Sequence, residues 1–368
     1  MRIILSGGGT GGHVFPAIAT ATVLKDKMPD ANLLFVGAKG KIEMEKVPKA
    51  GFPIKGLWIS GFHRQLTFRN LLFPVKLISS LVKAWWIIRQ FKPDIVVGFG
   101  GFASGPILDV ATRFGIPAII QEQNSYPGVT NRLLARKVAK ICVAYPEMQR
   151  WFPLEKTVLT GNPVRKDLLR GNPDRATALQ YFGLEPGKPV LFVFGGSLGA
   201  KSINEAMAAN VALLKQRTDV QVLWQMGSLY VEDFGACETA LLPHVKAQAF
   251  IDRMDLAYAL ADVVVCRSGA LTISELCLLG KAAIFIPSPN VAEDHQTKNA
   301  QALVDRQAAV LIKDADAKEK IMSEAMALIA DEERKASLRE NIRRLSRPEA
   351  SESIANEIIA LARAKTSK

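Results

Sequence analysis

Arg2-Ile3-Ile4-Leu5-Ser6 runs straight into Gly7-Gly8-Gly9-Thr10-Gly11-Gly12-His13, and a helical stretch follows from Val14. A short apolar strand that turns through glycines into a helix opens a doubly wound α/β domain. Glycine lets the backbone approach a ligand closely, and the helix start points N–H groups and a positive end at an anion. The same pattern recurs where Val190-Leu191-Phe192-Val193-Phe194 leads into Gly195-Gly196-Ser197-Leu198-Gly199-Ala200. The 368 residues exceed one ordinary core. The fold class expected is therefore α/β, with two doubly wound, Rossmann-like domains facing across a cleft.

Working outward, strand-like runs recur at 2–6, 32–36, 94–98, 117–121, 140–144 and 157–160, then at 189–194, 219–225, 246–250, 262–266, 282–286 and 309–312. Helical spacing fits 14–27, 75–91, 104–114 and 128–138 in the first half. It fits 200–216, 255–261, 270–279, 295–307 and 318–330 in the second. Such alternation predicts parallel sheets covered by helices on both faces. Turn residues Gly161-Asn162-Pro163 follow a strand and mark the domain crossing. The expected division is 1–163, 164–345 and a last helix within 346–368 that packs back on the first domain.

An apolar fraction of 49% suits a globular chain. Cys142, Cys237, Cys266 and Cys277 are scattered, with no C-x-x-C pair, so buried thiols are expected rather than a disulfide or metal framework. No apolar leader region and no uncharged apolar run of about 20 residues is present, so neither an export signal nor a transmembrane helix is expected.

Charge is unevenly divided. Of 47 basic and 35 acidic residues, 22 and 9 precede residue 166, so the first half carries +13 and the remainder −1. Between Glu45 and Asp94 nine lysines and arginines occur and no acid. At about 100° per residue, Leu71, Val75, Ile78, Val82 and Trp85 form one stripe of the 75–91 region, and Leu77, Leu81, Ala84 and Ile88 a second beside it. Lys76 and Lys83 fall on the polar side. Two readings stand: a deeply buried core helix, or a helix with one stripe inward and the other, with Leu72 and Phe73, resting on an anionic membrane surface. Nucleic acid is not expected, because no recognised motif occurs and aromatics do not alternate with the charges.

Gly7-x-Gly9-x-x-Gly12 satisfies the dinucleotide pattern, but the second strand ends Val36-Gly37-Ala38-Lys39 without the acid that holds a ribose in NAD sites. No Gly-Lys-Ser/Thr follows either glycine cluster, so a Walker loop is absent too. A phosphate-bearing donor such as a nucleotide sugar fits better.

Further segments appear in a set order: Gly98-Phe99-Gly100-Gly101-Phe102, Gln121-Glu122-Gln123-Asn124, Gly161-Asn162-Pro163-Val164-Arg165, Arg267-Ser268-Gly269-Ala270-Leu271-Thr272-Ile273-Ser274-Glu275 and Asp294-His295-Gln296. With the two glycine loops they resemble, nearly end to end, the MurG family of peptidoglycan glycosyltransferases (glycosyltransferase family 28). The resemblance implies the GT-B fold. It implies inverting transfer of N-acetylglucosamine from UDP-N-acetylglucosamine to the C4 hydroxyl of the muramyl sugar of lipid I, the undecaprenyl-linked acceptor, to give lipid II. UDP-N-acetylglucosamine is then a substrate, and no cofactor is expected. The implied setting is peripheral, on the cytoplasmic face of the cell membrane, with a cell-wall synthesis complex as a possible partner.

The resemblance also distributes roles, and each is weighed on physical grounds. Ser197 suits a diphosphate oxygen beside its loop amides. Ser268-Gly269 opens a helix whose first residues, Ala270, Leu271 and Thr272, offer N–H groups to phosphate. Glu275 would accept from the ribose diol, and Arg165 would pair with phosphate. Ile251 would lie against the uracil and Gln296 would read sugar hydroxyls, with His295 as the alternative reader. Thr10, Gly11, Gly12 and Asn124 would face the cleft and contact the donor. His13 sits where a helix begins, which disfavours the imidazolium and suits a neutral base for the C4 hydroxyl. Glu122 is the rival base, and His63, His244 and His295 are weaker candidates. Asp314-Ala315-Asp316 is the only D-x-D and is read as a solvated turn, so no metal site is expected. A UDP-sugar epimerase of the same layout remains the alternative enzyme.

Overall fold

The computed structural model describes residues 1–61, 72–165, 168 and 173–366, the side chains of 365 and 366 excepted. The chain forms two compact units, Met1–Arg165 with Arg347–Lys368, and Lys166–Ser346.

In the first unit the order is β1 (Arg2–Ser6), α1 (Gly11–Lys27), β2 (Asn32–Ala38), α2 (Glu43–Lys49), β3 (Ile54–Leu57), α3 (Phe73–Phe91), β4 (Ile95–Gly98), α4 (Ser104–Arg113), β5 (Ala118–Glu122), α5 (Val129–Leu134), β6 (Lys140–Val143) and β7 (Thr157–Leu159). The seven strands lie in the order β3-β2-β1-β4-β5-β6-β7. Every pairing is parallel, for example Ile3 opposite both Leu33 and Ile95. Strands buried on both faces need continuous apolar runs, which β1, β2, β4 and β5 supply.

The second unit runs α6 (Arg175–Phe182), β8 (Val190–Phe194), α7 (Lys201–Ala209), α8 (Val211–Gln216), β9 (Gln221–Gln225), α9 (Val231–Phe234), β10 (Val245–Gln248), α10 (Met254–Leu260), β11 (Val263–Cys266), α11 (Ala270–Leu279), β12 (Ala282–Phe285), α12 (His295–Val304), β13 (Val310–Leu311), α13 (Ala317–Ala330) and α14 (Glu332–Arg344). Its sheet, β10-β9-β8-β11-β12-β13, is also wholly parallel. The single helix expected over 200–216 is two, α7 and α8, meeting at Asn210.

The final helix, α15 (Ala350–Thr366), returns to the first unit. Ile354, Ala355, Ile358 and Ala362 are fully buried against Val14, Ala17, Ala21 and Leu24 of α1. Cys142, Cys266 and Cys277 are buried free thiols, and Cys237 is half-buried. Burial pushes the Cys142 and Cys277 thiols up to about 12, so they are inert. No described helix is long and apolar enough to cross a membrane.

In each sheet the strand order reverses beside the first strand of the unit, between β1 and β4 and between β8 and β11. Ligands of open α/β sheets bind at the carboxyl ends of the strands at such a switch point. Both glycine loops emerge there.

Candidate functional site

At the switch point of the first unit, the loop after β1 meets the loop after β4. The Phe99 N–H donates to the Ser6 carbonyl at 2.7 Å. Gly101 has φ +82°, and a Cβ there would lie 2.2 Å from the Gly8 oxygen, so only glycine fits. His13 is the third residue of α1. Its Nδ1 lies 3.0 Å from the Gly8 carbonyl and 3.2 Å from Thr10 Oγ1. A carbonyl only accepts, so Nδ1 carries the proton on that side, and in the neutral form of the ring the lone pair is then on Nε2. Thr10 is exposed, and Gly11 and Gly12 are half-buried in the first turn of α1.

Sequence reasoning passed over Glu43. This carboxylate is fully buried at the start of α2. It accepts the Gly9 N–H at 2.9 Å and the Ala38 N–H at 2.8 Å. A Cβ on Gly8 would lie 2.0 Å from Glu43 Oε1, and one on Gly37 2.4 Å from Glu43 Cγ. Both glycines leave room for this side chain. The chain offers only that pair of glycines as a signal, and no local rule links them to an acid among Lys39, Lys41 and Glu45.

Glu122 ends β5 with 1% exposure. One oxygen accepts from the Asn124 backbone and side-chain amides (3.0 and 3.2 Å), the other from Gly128 N and Asn131 Nδ2 (3.0 and 2.9 Å). Burial raises its carboxyl above the usual range although these donors oppose the shift. Such a carboxylate shapes the loop that carries Asn124. Arg165 closes the first unit, half-buried. His63 and Leu71 lie outside the described residues.

The second unit repeats the plan. Gly196 and Gly199 hold φ of +96° and +90° in the loop after β8, with Ser197 exposed between them. Gln225, at the end of β9 and also unread in the sequence, ties two predicted segments together. Its Nε2 donates to the Gly196 carbonyl at 3.0 Å, and its Oε1 accepts the Ile251 N–H at 2.8 Å. After β11, buried Ser268 donates to the Gln296 carbonyl at 2.9 Å. Gly269 then caps α11 without a side-chain hydrogen bond, and Ala270, Leu271 and Thr272 form its first turn. Tyr258, itself fully buried, donates its hydroxyl to Glu275 Oε2 at 2.9 Å. Glu275 is thus held against the unit and is not a solvated helix residue.

Gln296 Oε1 accepts the Ser288 N–H at 2.9 Å. His295 Nδ1 lies 2.8 Å from the Ala292 carbonyl, and burial lowers its ring's proton affinity. Glu293 and Asp294, just before them, both have positive φ (56° and 50°), a costly backbone for residues with side chains. The second unit therefore gathers Ser197, Ile251, Ala270 to Glu275 and Gln296 around one switch point. His244 stands apart, with Nε2 3.0 Å from the Leu214 carbonyl.

The D-x-D needs correction. Asp314 is not solvated: it pairs with Arg267 and accepts from Ser202 Oγ at 2.5 Å. Arg267 also donates to the Ile286 and Pro287 carbonyls. Asp316 pairs with Lys320 at 2.9 Å. Among the described residues no three His, Cys, Asp or Glu side chains are grouped to hold a metal.

α3 settles its two stripes. Ser80, Ala84, Ile87 and Ile88 are buried, and Leu77, Leu81 and Trp85 pack on the core. Leu72, Val75, Ile78, Val82 and Trp86 are exposed, Ile78 and Trp86 by 62% and 63%. Of the expected outer stripe Val75, Ile78 and Val82 are exposed, whereas Trp85 packs on the core and Trp86 takes its place outside. Phe73 is half-buried. Lys76 and Lys83 are turned to the protein, donating to Ser60 Oγ at 3.0 Å and the Gly56 carbonyl at 2.7 Å.

Comparison with known proteins agrees with this geometry. The N-terminal domain of glycosyltransferase family 28 matches residues 3–143, and its C-terminal domain matches 190–357. A UDP-N-acetylglucosamine–N-acetylmuramyl-(pentapeptide) pyrophosphoryl-undecaprenol N-acetylglucosamine transferase of Flavobacterium psychrophilum is 51% identical over 100% of this chain and 99% of its own length. One of the same name from Bacteroides fragilis is 50% identical over 98% of this chain and 96% of its own. Among solved structures, Acinetobacter baumannii MurG is similar with a TM-score of 0.77 and 29% identity, covering 98% of this chain and 99% of that one. Fold and comparisons define a nucleotide-sugar glycosyltransferase of the GT-B class. The chain belongs to glycosyltransferase family 28.

Proposed function

We infer that this enzyme transfers N-acetylglucosamine from UDP-N-acetylglucosamine to the C4 hydroxyl of the muramyl sugar of an undecaprenyl-pyrophosphoryl-linked muramyl pentapeptide. The observation that carries this reading is the match, over the whole chain, to relatives of that name at about half identity. The relatives' role makes this a step of peptidoglycan and cell-wall synthesis.

The donor occupies the second unit. Loop amides around Ser197 and the open N–H groups of α11 meet the diphosphate, and Glu275, steadied by Tyr258, accepts from the ribose diol. The uracil lies at Ile251, whose N–H is committed to Gln225, so its carbonyl side faces the base. Gln296 uses its carboxamide oxygen on Ser288, which leaves its NH2 for the sugar. His295, with Nδ1 turned to a carbonyl, is the second sugar reader.

The acceptor occupies the first unit. His13 Nε2 takes the proton of the attacking hydroxyl as the bond to UDP breaks, with inversion. Thr10, Gly11, Gly12 and Asn124 line its surroundings, and Glu122 holds the Asn124 loop. Leaving-group charge is met by the loop amides and the α11 start rather than by a metal or cofactor. The outer face of α3, with Leu72, Val75 and Ile78, rests on the anionic cytoplasmic surface of the membrane as a peripheral contact.

Labelled UDP-N-acetylglucosamine incubated with a short-chain lipid I analogue, with and without EDTA, tests the reading. The expected product is a labelled disaccharide lipid formed at the same rate in both. Epimerised donor, or no label in lipid, would refute the transfer; loss with EDTA would refute the metal-free donor site.

A further inference from the structure

We propose that Glu43 is a positioning residue that fixes the tautomer of His13 through the single peptide unit joining Gly8 to Gly9. The inference rests on the reading of His13 as the base. That peptide has two polar ends, and both are engaged. Its N–H, on Gly9, donates to Glu43 Oε2 at 2.9 Å. Its carbonyl, on Gly8, accepts from His13 Nδ1 at 3.0 Å. Carboxylate, amide and imidazole therefore form one line, in which the peptide stands where a direct carboxylate–histidine contact is found in other enzymes.

Three features give the line its function. Glu43 is fully buried, so its carboxylate acts without competition from water. Its other oxygen is pinned by the Ala38 N–H at 2.8 Å, so it cannot swing away from Gly9. Gly9 has φ +87°, a backbone only glycine adopts readily, so the peptide could rotate if nothing held it. A negative charge on the N–H end polarises the amide and strengthens its carbonyl as an acceptor. The carbonyl then holds the proton on Nδ1 and leaves Nε2 to receive one from the substrate. Thr10 Oγ1, 3.2 Å from Nδ1, can donate or accept, so it does not select a tautomer.

Nitrogen-15 spectra of the imidazoles test this directly, since the chain has only four histidines and His13→Ala identifies the signal. The wild type should show protonated Nδ1 and unprotonated Nε2 at neutral pH. Glu43→Gln and Glu43→Ala should bring in the Nε2-protonated form and lower kcat by roughly 10- to 100-fold, as loss of an orienting carboxylate does, with both KM values little changed. Glu43→Asp should restore part of the bias. An Nε2-protonated ring in the wild type overturns the proposal, and it needs no variant to fold. So does an unchanged tautomer in a folded Glu43→Ala enzyme. Failure of the base reading looks different: His13→Ala would keep its turnover while the tautomer still followed Glu43.

Discussion

The Tyr258 hydroxyl donates to Glu275 Oε2 at 2.9 Å, joining a fully buried residue of α10 to the one carboxylate of α11. The bond fixes the orientation of a group proposed to accept from the ribose. Tyr258→Phe keeps the packing against Phe192 and Phe194 and removes only the hydroxyl. It should raise the donor KM about 3- to 10-fold, the range of one net hydrogen bond, and leave the acceptor KM alone. Glu275→Ala should raise the donor KM further. Steady-state kinetics with varied UDP-N-acetylglucosamine decide it, and an unchanged donor KM in Glu275→Ala removes the ribose role.

His13 and Glu122 should separate cleanly. His13→Ala is expected to lower kcat by about 100-fold or more, the usual value of general-base help, without loss of thermal stability. Glu122→Gln replaces a carboxylate that receives four donors by a group with one acceptor oxygen, so it should destabilise the fold by roughly 1–3 kcal/mol. Burial raises the Glu122 carboxyl above its ordinary value of 4.5, so the folded state holds that proton more tightly than the unfolded one. Its contribution to stability is full below 4.5 and is lost as pH rises through the raised folded value. The stability gap between wild type and Glu122→Gln should therefore be narrower at pH 7 than at pH 4. Denaturant titrations at the two pH values measure it, and a gap that widens toward pH 7 contradicts this account.

The sequence made most of this architecture legible because parallel strands buried on both faces read as unbroken apolar runs, as in Ile3-Ile4-Leu5 and Val263-Val264-Val265. β3 escaped because Lys55 and Gly56 interrupt its four residues, and α14 because its composition is almost wholly polar. The glycine loops announced themselves through residues that local geometry demands. Glu43, Gln225 and Asp314 did not, since a buried polar group owes its place to partners far along the chain. Gly9 is 34 positions from Glu43, and Arg267 is 47 from Asp314. Among the described residues of the outer stripe of α3, the expectation differs at the end, where Trp86 and not Trp85 is exposed.

The pairing of Arg267 with Asp314 makes a metal-independent prediction. Arg267 precedes the loop into α11, and Ser202, which bonds both partners, lies in the first turn of α7. The cluster thus fastens the start of α7, just after the Ser197 loop, to the segment leading into α11, and that loop and α11 are the groups proposed to meet the diphosphate. Asp314→Asn should weaken donor binding by roughly 10-fold, because removing one partner of a half-buried ion pair leaves the other poorly compensated. Added Mg2+ or Mn2+ should not restore it. Isothermal titration with UDP gives the affinity, and rescue by a divalent ion would return the D-x-D to a metal role.

Membrane contact should reside in the outer face of α3 rather than in the helix as a whole. Val75 and Ile78 are 52% and 62% exposed, so glutamates there leave the core intact. Val75→Glu/Ile78→Glu should melt at the temperature of the wild type yet lose flotation with anionic liposomes. The double variant removes apolar area and adds two negative charges to a surface where each basic residue contributes about 1 kcal/mol of attraction. Part of the wild-type binding should fall in 0.5 M salt, screening being nearly complete beyond about 4–5 Å there, and the apolar part should remain. Turnover on a water-soluble short-chain acceptor should be unaffected while turnover on a long-chain acceptor in vesicles drops. Equal flotation of the two proteins would place the lipid contact elsewhere on the basic first unit.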